Sequence, residues 1–161
     1  MIDINPNAIT FTVLGKAATQ GSKISHALYN RATGAPLMKN GRVITITRED
    51  NVDLKNWRNM VASAAREAYD GPLLLCAIRL TVRFERPRPQ SHFGSGKNAA
   101  VVKESAPRYP TTKPDTLKLV RAVEDALSKV IYGDDSQVCE HILFKTWGPI
   151  SRTVVTIETL L

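Results

Sequence analysis

The sequence predicts a small α+β domain in which a mixed β-sheet packs against two main helices. Two amphipathic helical patterns are separated by a long apolar strand and a loop. Two short strands precede them and two further strands follow, so the element order is β, β, α, β, loop, α, β, β. The chain has 161 residues, the size of one ordinary domain, and shows no internal repeat or clear boundary. We therefore expect a single domain over residues 1–161.

Alternation of apolar and polar residues predicts the main strands. Residues 8–14 alternate apolar side chains with threonines, which is the pattern of a half-buried strand. Residues 73–84 form a longer apolar run that turns to the same alternation. We expect the two carboxy-terminal strands, 136–147 and 153–161, to pair with each other across Gly148-Pro149.

Two segments carry the helical period instead. A short strand at 43–47 precedes the first helix, which Asp50 or Asn51 can cap and which continues to about residue 69. The second helix, over 115–130, is the clearer one, because its apolar residues fall within one stripe.

Two segments show no periodic pattern of apolar residues. Residues 16–40 are polar and rich in small side chains, which predicts a loop. Residues 86–114 form a segment that is too long for a simple connecting loop in a compact domain. This length indicates a functional or mobile segment. Its Gly94–Lys97 stretch resembles a phosphate loop but lacks the required spacing and the trailing Ser or Thr.

The chain is basic, with 22 Lys and Arg against 15 Asp and Glu and a net charge of +7. Residues 76–113 hold eight basic and two acidic side chains. Residues 114–140 hold three basic and six acidic side chains. Phosphodiester cleavage needs cations for the backbone phosphates beside carboxylates that hold a metal ion. The distribution favours a nucleic-acid substrate, although solvated faces of two unrelated elements would give the same counts.

Other features narrow the class of protein. No apolar run approaches the roughly 20 residues of a membrane span, and the amino terminus shows no signal-peptide pattern. Cys76 and Cys139 lie far apart without CxxC spacing, so we expect two small buried thiols rather than a zinc site. These features predict a reduced cytoplasmic protein without membrane contact.

Three carboxylates in the acidic stretch are candidates for a metal site. Asp115 begins the second helix, and Asp134 and Asp135 stand in the turn before a strand. Mg²⁺ prefers oxygen ligands from two or three carboxylates, and these would meet if the helix and the strand pack side by side. The ordinary alternatives are a helix N-cap for Asp115 and turn chemistry for the Asp-Asp pair.

Two segments carry distinctive motifs: residues 112–127 read TKPDTLKLVRAVEDAL, and residues 132–138 read YGDDSQV. Together they resemble the RusA family of small endodeoxyribonucleases, which resolve Holliday junctions and are often encoded by phages and prophages. The family pattern has a Lys-Pro-Asp-x-Asp start, an Asp-Ala-Leu signature and an Asp-Asp-x-Gln turn. The resemblance implies a RusA-like fold and a homodimer with two Mg²⁺-dependent sites.

The resemblance also implies roles for individual residues. Asp115 and Asp135 match catalytic aspartates of the family, so they are the expected ligands of Mg²⁺, or of Mn²⁺, with Asp134 as a helper. Arg121 stands where the family carries a basic residue near the scissile phosphate. The cations expected to bind DNA are Lys113, Lys118, Lys145, Arg86, Arg88 and Lys97.

One position departs from the family pattern. The aspartate expected two residues after the first is Leu117 here, on the predicted polar face of its helix. Glu124 on that face lies about 10 Å further along the axis, whereas paired catalytic metals are only about 4 Å apart. Glu67 is another candidate acidic residue, and the sequence does not show where it lies relative to the metal site. We therefore expect a metal site that is altered, weaker or lost.

The sequence thus predicts a Mg²⁺-dependent endodeoxyribonuclease that nicks opposed strands of four-way junctions or related branched DNA. Its setting would be recombination, repair or phage DNA processing in the cytoplasm of a bacterial host. The alternative is a branched-DNA-binding protein of the same fold that has lost cleavage. Asp115 and the Asp-Asp-x-Gln turn favour the enzyme, and Leu117 favours the binding protein. A third hypothesis is an unrelated basic α+β binding domain.

Overall fold

Residues 8–21, 23–49 and 51–160 are described by a computed structural model. Within them, two helices pack with a four-stranded sheet, and two small two-stranded sheets lie between the first sheet strand and the first helix in the chain. In chain order the elements are β1 (Ile9–Leu14), β2 (Lys23–Ala27), β3 (Met38–Lys39), β4 (Arg42–Val43), β5 (Thr45–Glu49), α1 (Leu54–Ala68), β6 (Ile78–Pro87), α2 (Thr116–Leu127), β7 (Val138–Gly148) and β8 (Arg152–Thr159).

Strand β6 forms the centre of the core. Its residues Ile78, Leu80 and Val82 are fully buried, and they alternate with half-buried polar residues as the sequence predicts. They join the buried stripes of α1 and α2 in one hydrophobic cluster. The predicted α+β class, with a mixed sheet against two helices, is confirmed.

The predicted pairing of the last two strands is wrong. The sheet order is β1-β8-β6-β7, so β6 lies between β7 and β8, parallel to the former and antiparallel to the latter. The three residues 149–151 can span about 10 Å, which matches two interstrand spacings of about 4.8 Å. The strongly apolar β6 is therefore paired with another strand on each of its two edges.

The predicted loop over 16–40 is also partly wrong. Strand β2 pairs with β5, and β3 pairs with β4, both antiparallel. The predicted strand at 43–47 is divided at Ile44, whose N–H donates to the Leu37 carbonyl oxygen at 2.8 Å. The side chains of β2 are mostly exposed, so no apolar alternation signals these pairings.

The boundaries of the longer elements differ from the prediction by a few residues. The first helix begins at Leu54, after Asn51 Oδ1 accepts from the Asp53 N–H at 3.1 Å, and the alternative cap Asp50 lies outside the described residues. The second helix ends at Leu127, because Lys129 adopts a left-handed φ of 65°. Strand β6 starts at Ile78 rather than residue 73.

The cysteines are free, but the prediction that both are buried is wrong. Cys76 is half-buried and Cys139 is exposed, because Cys139 lies on β7 at the edge of the sheet. Neither helix of the described ranges is long and apolar enough to cross a membrane.

Tyr132 closes the turn after α2. It is fully buried, and its hydroxyl donates to the Glu124 carbonyl oxygen at 3.2 Å. Burial, with smaller contributions from the charges of Glu124, Asp135 and Asp125, raises the pKa of Tyr132 far above its usual range. The folded state therefore favours the neutral phenol.

We expect Tyr132 to make the fold sensitive to alkaline pH. Because its folded pKa lies above the unfolded value of about 10, its stabilisation is complete below about pH 10 and is lost as the pH rises towards the folded pKa. In Tyr132→Phe, the unfolding free energy from urea titrations should fall less steeply above pH 10, with a loss of about 1 kcal/mol at neutral pH. Tyr29→Phe, at a tyrosine that is 60% exposed, is the control. Equal alkaline slopes in wild type and Tyr132→Phe would contradict the assignment.

Candidate active site

Asp115 is the residue that precedes α2. Its backbone is extended, with φ −75° and ψ 139°, and its side chain is exposed and makes no capping hydrogen bond. The carboxylate of Asp115 therefore does not cap the helix. The carboxylate faces solvent at the positive end of a 12-residue helix.

Two basic side chains hold the segment that leads into Asp115. Lys145 Nζ donates to the carbonyl oxygens of Thr112 and Pro114, both at 3.0 Å. Arg86 donates to the Lys113 carbonyl oxygen at 3.0 Å and to the Thr112 hydroxyl at 2.8 Å. Arg86 on β6 and Lys145 on β7 therefore fix the approach of the chain to the helix.

A basic groove of about 370 Å³ lies beside this segment. One acid, Glu85, also lines it, and its carboxylate accepts from Arg152 Nε at 2.7 Å. The groove therefore keeps a net positive lining, which suits a phosphate group. Its basic lining residues are Lys16, Arg86, Lys113 and Lys145.

Trp147 anchors the long segment 86–114 to the sheet. Its indole N–H donates to the Pro107 carbonyl oxygen at 3.0 Å, and Arg88 Nη1 donates to the same oxygen at 3.0 Å. The guanidinium carbons of Arg86 and Arg88 lie 5.1 and 5.3 Å from the Trp147 ring centroid, within the range of cation–π attraction. The segment that lacks sequence periodicity is thus held by side-chain contacts.

We expect Trp147→Ala to loosen this segment. Loss of the hydrogen bond and the cation–π contacts, about 1.4 kcal/mol together, should raise the population of the open segment about tenfold. Trypsin cleavage after the exposed residues Lys103 and Arg108 should then accelerate by the same factor. Tyr29→Ala, at an exposed aromatic residue outside the segment, should leave the rate unchanged. Equal rates in the two variants would show that Trp147 is not the anchor.

Asp134 and Asp135 occupy different positions in their turn. Asp134 Oδ1 accepts from the Ser136 N–H at 3.0 Å, and the Gln137 side chain accepts from the Asp134 N–H at 2.9 Å. This hydrogen bonding, chiefly from Ser136, lowers the pKa of Asp134. Asp135 is exposed in the short 3₁₀ turn Asp135–Gln137. Asp134 therefore caps the turn, and Asp135 is the more open carboxylate.

Asp115 and Asp135 lie beyond opposite ends of helix α2 in the chain. Helix α2 and strand β7 do pack side by side, but Asp115 precedes the helix and Asp135 follows it. From Asp115 to Leu127 the helix rises about 18 Å, at 1.5 Å per residue. In the described part of the chain, no group of three or more His, Cys, Asp or Glu could hold a metal ion. Binding of Mg²⁺ by Asp115 and Asp135 therefore stays a prediction.

The remaining predicted cations lie on the surface. Lys113 and Lys118 are exposed near the start of α2, and Lys97 is exposed in the 3₁₀ turn Gly96–Asn98. Arg121 is exposed on α2, and its Nη1 would lie 3.0 Å from a Cβ added at Gly21, where φ is +100°. Glycine at this position lets the Arg121 guanidinium lie against the backbone. DNA contact by these residues stays a prediction.

The other acids near α2 have protein partners or lie apart. Glu124 Oε1 lies 2.8 Å from His141 Nε2, and Asp125 pairs with Arg58 at 3.1 Å, in line with a structural role. Glu67 is exposed on α1. Leu117 is 74% exposed, so the structure confirms that core packing does not explain it.

Sequence reasoning missed the structural roles of two groups. It assigned Arg86, Arg88 and Lys145 to DNA, whereas each also bonds a backbone carbonyl of segment 103–114. It gave Trp147 no role, although an aromatic residue at the end of a strand beside Arg-Pro-Arg-Pro is a signal for a cation–π anchor.

The chain is similar in sequence to proteins of a known family. A family model described as endodeoxyribonuclease RusA matches residues 32–158, which include every predicted site residue. The chain is also similar to uncharacterized protein YqaN of Bacillus subtilis strain 168, with 31% identity over 152 residues that cover 94% of this chain and 96% of the relative. Endonucleolytic cleavage of branched DNA is the activity of the matched family. The chain belongs to the RusA endodeoxyribonuclease family.

Proposed function

We propose that the protein nicks opposed strands of four-way junctions or related branched DNA, with Mg²⁺ or Mn²⁺ as its cofactor. The observation that carries the proposal is membership of a nuclease family together with two retained aspartates, Asp115 and Asp135, both exposed. The same family membership supports action in recombination, repair or phage DNA processing in a bacterial cytoplasm.

The residues of the chain have distinct parts in this proposal. Asp115 and Asp135 are the metal ligands, and a bound ion would activate water and neutralise charge on the phosphate. The basic groove beside Asp115 accepts a backbone phosphate, and Arg86 and Lys145 position the segment that carries Asp115. Arg121, on the exposed face of α2, contacts a phosphate of the same strand.

The proposal includes a homodimer. Symmetric nicking of a four-way junction requires two sites related by a two-fold axis. A mass of two chains in light scattering at micromolar concentration is the expected result, and a monomeric mass with and without junction would count against paired nicking.

The alternative function is binding of branched DNA without cleavage. Two observations favour it: Leu117 replaces a family carboxylate, and the described residues form no group of three or more metal ligands. The basic groove would serve such a protein equally well.

A cleavage assay separates the two functions. Synthetic four-way junctions labelled on each strand in turn are incubated with Mg²⁺, with Mn²⁺ and with EDTA, beside a linear duplex of the same sequence. We expect paired nicks in opposed strands of the junction only, and only with a divalent ion. Binding without nicks under all conditions would support the alternative, and absence of both binding and nicks would overturn both.

A further inference from the structure

Residues 23–49 form a β-arm that projects from the main sheet and helices. Strand β2 pairs with β5 and β3 pairs with β4, and neither pair joins the four-stranded sheet. None of the arm residues whose exposure is described is buried, and none belongs to the hydrophobic core. The β-arm is therefore held together by its own backbone hydrogen bonds, with both of its faces open to a partner.

The β-arm divides into two hairpin tips. Leu28 donates its N–H to the Ile44 carbonyl oxygen, Ile44 donates to Leu37, and Leu37 donates back to Leu28, at distances between 2.7 and 2.9 Å. The first tip covers residues 30–35 and is closed by backbone hydrogen bonds between its ends. The second turns at residues 40–41, whose φ values of 50° and 74° fit a type I′ hairpin turn. Both tips therefore point away from the branching residues with a defined backbone.

The charge of the β-arm is almost entirely positive. It carries five basic side chains and one acidic one, Glu49, which is its last residue. Arg31 stands in the first tip, and Lys39 and Arg42 pair across the second turn. All three are exposed, and none of them makes a hydrogen bond or an ion pair with the described residues. Unpaired cations at the end of an exposed arm suit a polyanionic partner.

The base of the β-arm lies beside the start of α2. The Gln20 N–H donates to the Lys118 carbonyl oxygen at 2.9 Å, and Gly21 lies against the Arg121 guanidinium. Lys118 follows Asp115 by three residues. A DNA strand with a phosphate at Asp115 would therefore pass close to the base of the β-arm.

The reach of the β-arm corresponds to several base pairs. Residues 42–49 run from the second tip to the base in a nearly continuous pair of strands, β4 and β5. At about 3.3 Å per residue they span about 23 Å, which equals about seven base pairs at 3.4 Å each. A two-stranded ribbon also fits the major groove of B-DNA. The tips can therefore reach phosphates of a duplex that starts beside the base.

We propose that the β-arm lies along a duplex arm of branched DNA, with Arg31, Lys39 and Arg42 on its backbone phosphates. The inference rests on the proposed function and gives the β-arm a part in binding and not in cleavage. Phosphate contacts carry no sequence information, so the β-arm should bind any duplex that leaves the branch point. An acidic protein would also match the charge, but the position of the base near Asp115 favours DNA.

The salt dependence of junction binding tests the phosphate contacts. Wild type and Lys39→Gln/Arg42→Gln are titrated with a fluorescent four-way junction in EDTA, between 50 and 200 mM salt. Loss of two phosphate contacts should reduce the slope of log Kd against log salt by about 1.8 and weaken binding on the order of tenfold. Lys55→Gln/Arg66→Gln removes the same charge from two exposed positions of α1 and should keep the wild-type slope.

A cleavage probe locates the β-arm on the DNA. Both native thiols are removed in Cys76→Ser/Cys139→Ser, and Ala32→Cys in the first tip is linked to iron–EDTA. Hydroxyl radicals from this probe should cut a duplex arm about seven base pairs from the branch point. The same probe at Asp70→Cys, an exposed position after α1, is the control and should leave that part of the duplex uncut.

The outcomes separate this inference from the proposed function. Unchanged binding by Lys39→Gln/Arg42→Gln, equal losses in the two double variants, or no cuts from the Ala32→Cys probe would overturn the role of the β-arm. If wild type nicks junctions, the nuclease function would stand in each of these cases, and an acidic protein would become the partner to test. Conversely, a wild type that binds junctions without nicking them, with the expected loss in Lys39→Gln/Arg42→Gln, would overturn nicking and support the β-arm.

Discussion

Asp135→Asn is expected to abolish nicking of four-way junctions while leaving junction binding intact or tighter. The substitution removes one negative charge and a metal ligand from a surface that faces polyanionic DNA. Asp135 is exposed and does not cap its turn, a part that Asp134 plays, so the fold should be unaffected. We expect the nicking rate to fall by about 100-fold or more, which is about 2.7 kcal/mol of lost transition-state stabilisation.

The measurement compares nicking rates with Mg²⁺ and binding by gel shift for the same junction. Asp70→Asn, at an exposed aspartate outside the site, is the matched control and should behave as wild type. Wild-type nicking by Asp135→Asn would show that the assignment of Asp135 is wrong.

Leu117→Asp is expected to lower the Mg²⁺ concentration for half-maximal nicking by about tenfold, or to create nicking where wild type shows none. Leu117 is 74% exposed, so the change should cost little packing energy. It restores a hard oxygen ligand two residues after Asp115, where the family pattern has an aspartate.

Coupling to Asp135 makes this prediction specific. The gain should vanish in Leu117→Asp/Asp135→Asn, since both side chains would act through the same ion. Leu14→Asp, at another exposed leucine, is the control for added surface charge and should give no gain. Loss of nicking in a folded Leu117→Asp protein would mean that other ligands serve the site, and Glu67 and Glu124 would be neutralised next, one at a time.

Features that depend on local sequence pattern are predicted correctly. The apolar period of residues 54–65 predicted α1, and the alternation of Ile78, Leu80 and Val82 predicted the central strand. The motif around Asp115 and the Asp-Asp-x-Gln turn indicated the family, which the family match confirms. These signals need only neighbouring residues, because helical and extended backbones repeat over a few positions.

Which elements are neighbours depends on long-range packing. The insertion of β6 between β7 and β8, and the pairing of β2 with β5, join residues far apart in the chain without a distinctive pattern. The clamp of Arg86 and Lys145 on segment 112–114 also arises only when two strands end beside it.

The distance between the two retained aspartates is the clearest case. Sequence spacing allowed Asp115 and Asp135 to meet, because a tight turn follows the helix. In the structure β7 returns antiparallel to α2, so Lys145, and not Asp135, reaches the start of the helix. Chain direction after a turn sets this separation, and it depends on long-range packing against β6 that a local motif does not encode.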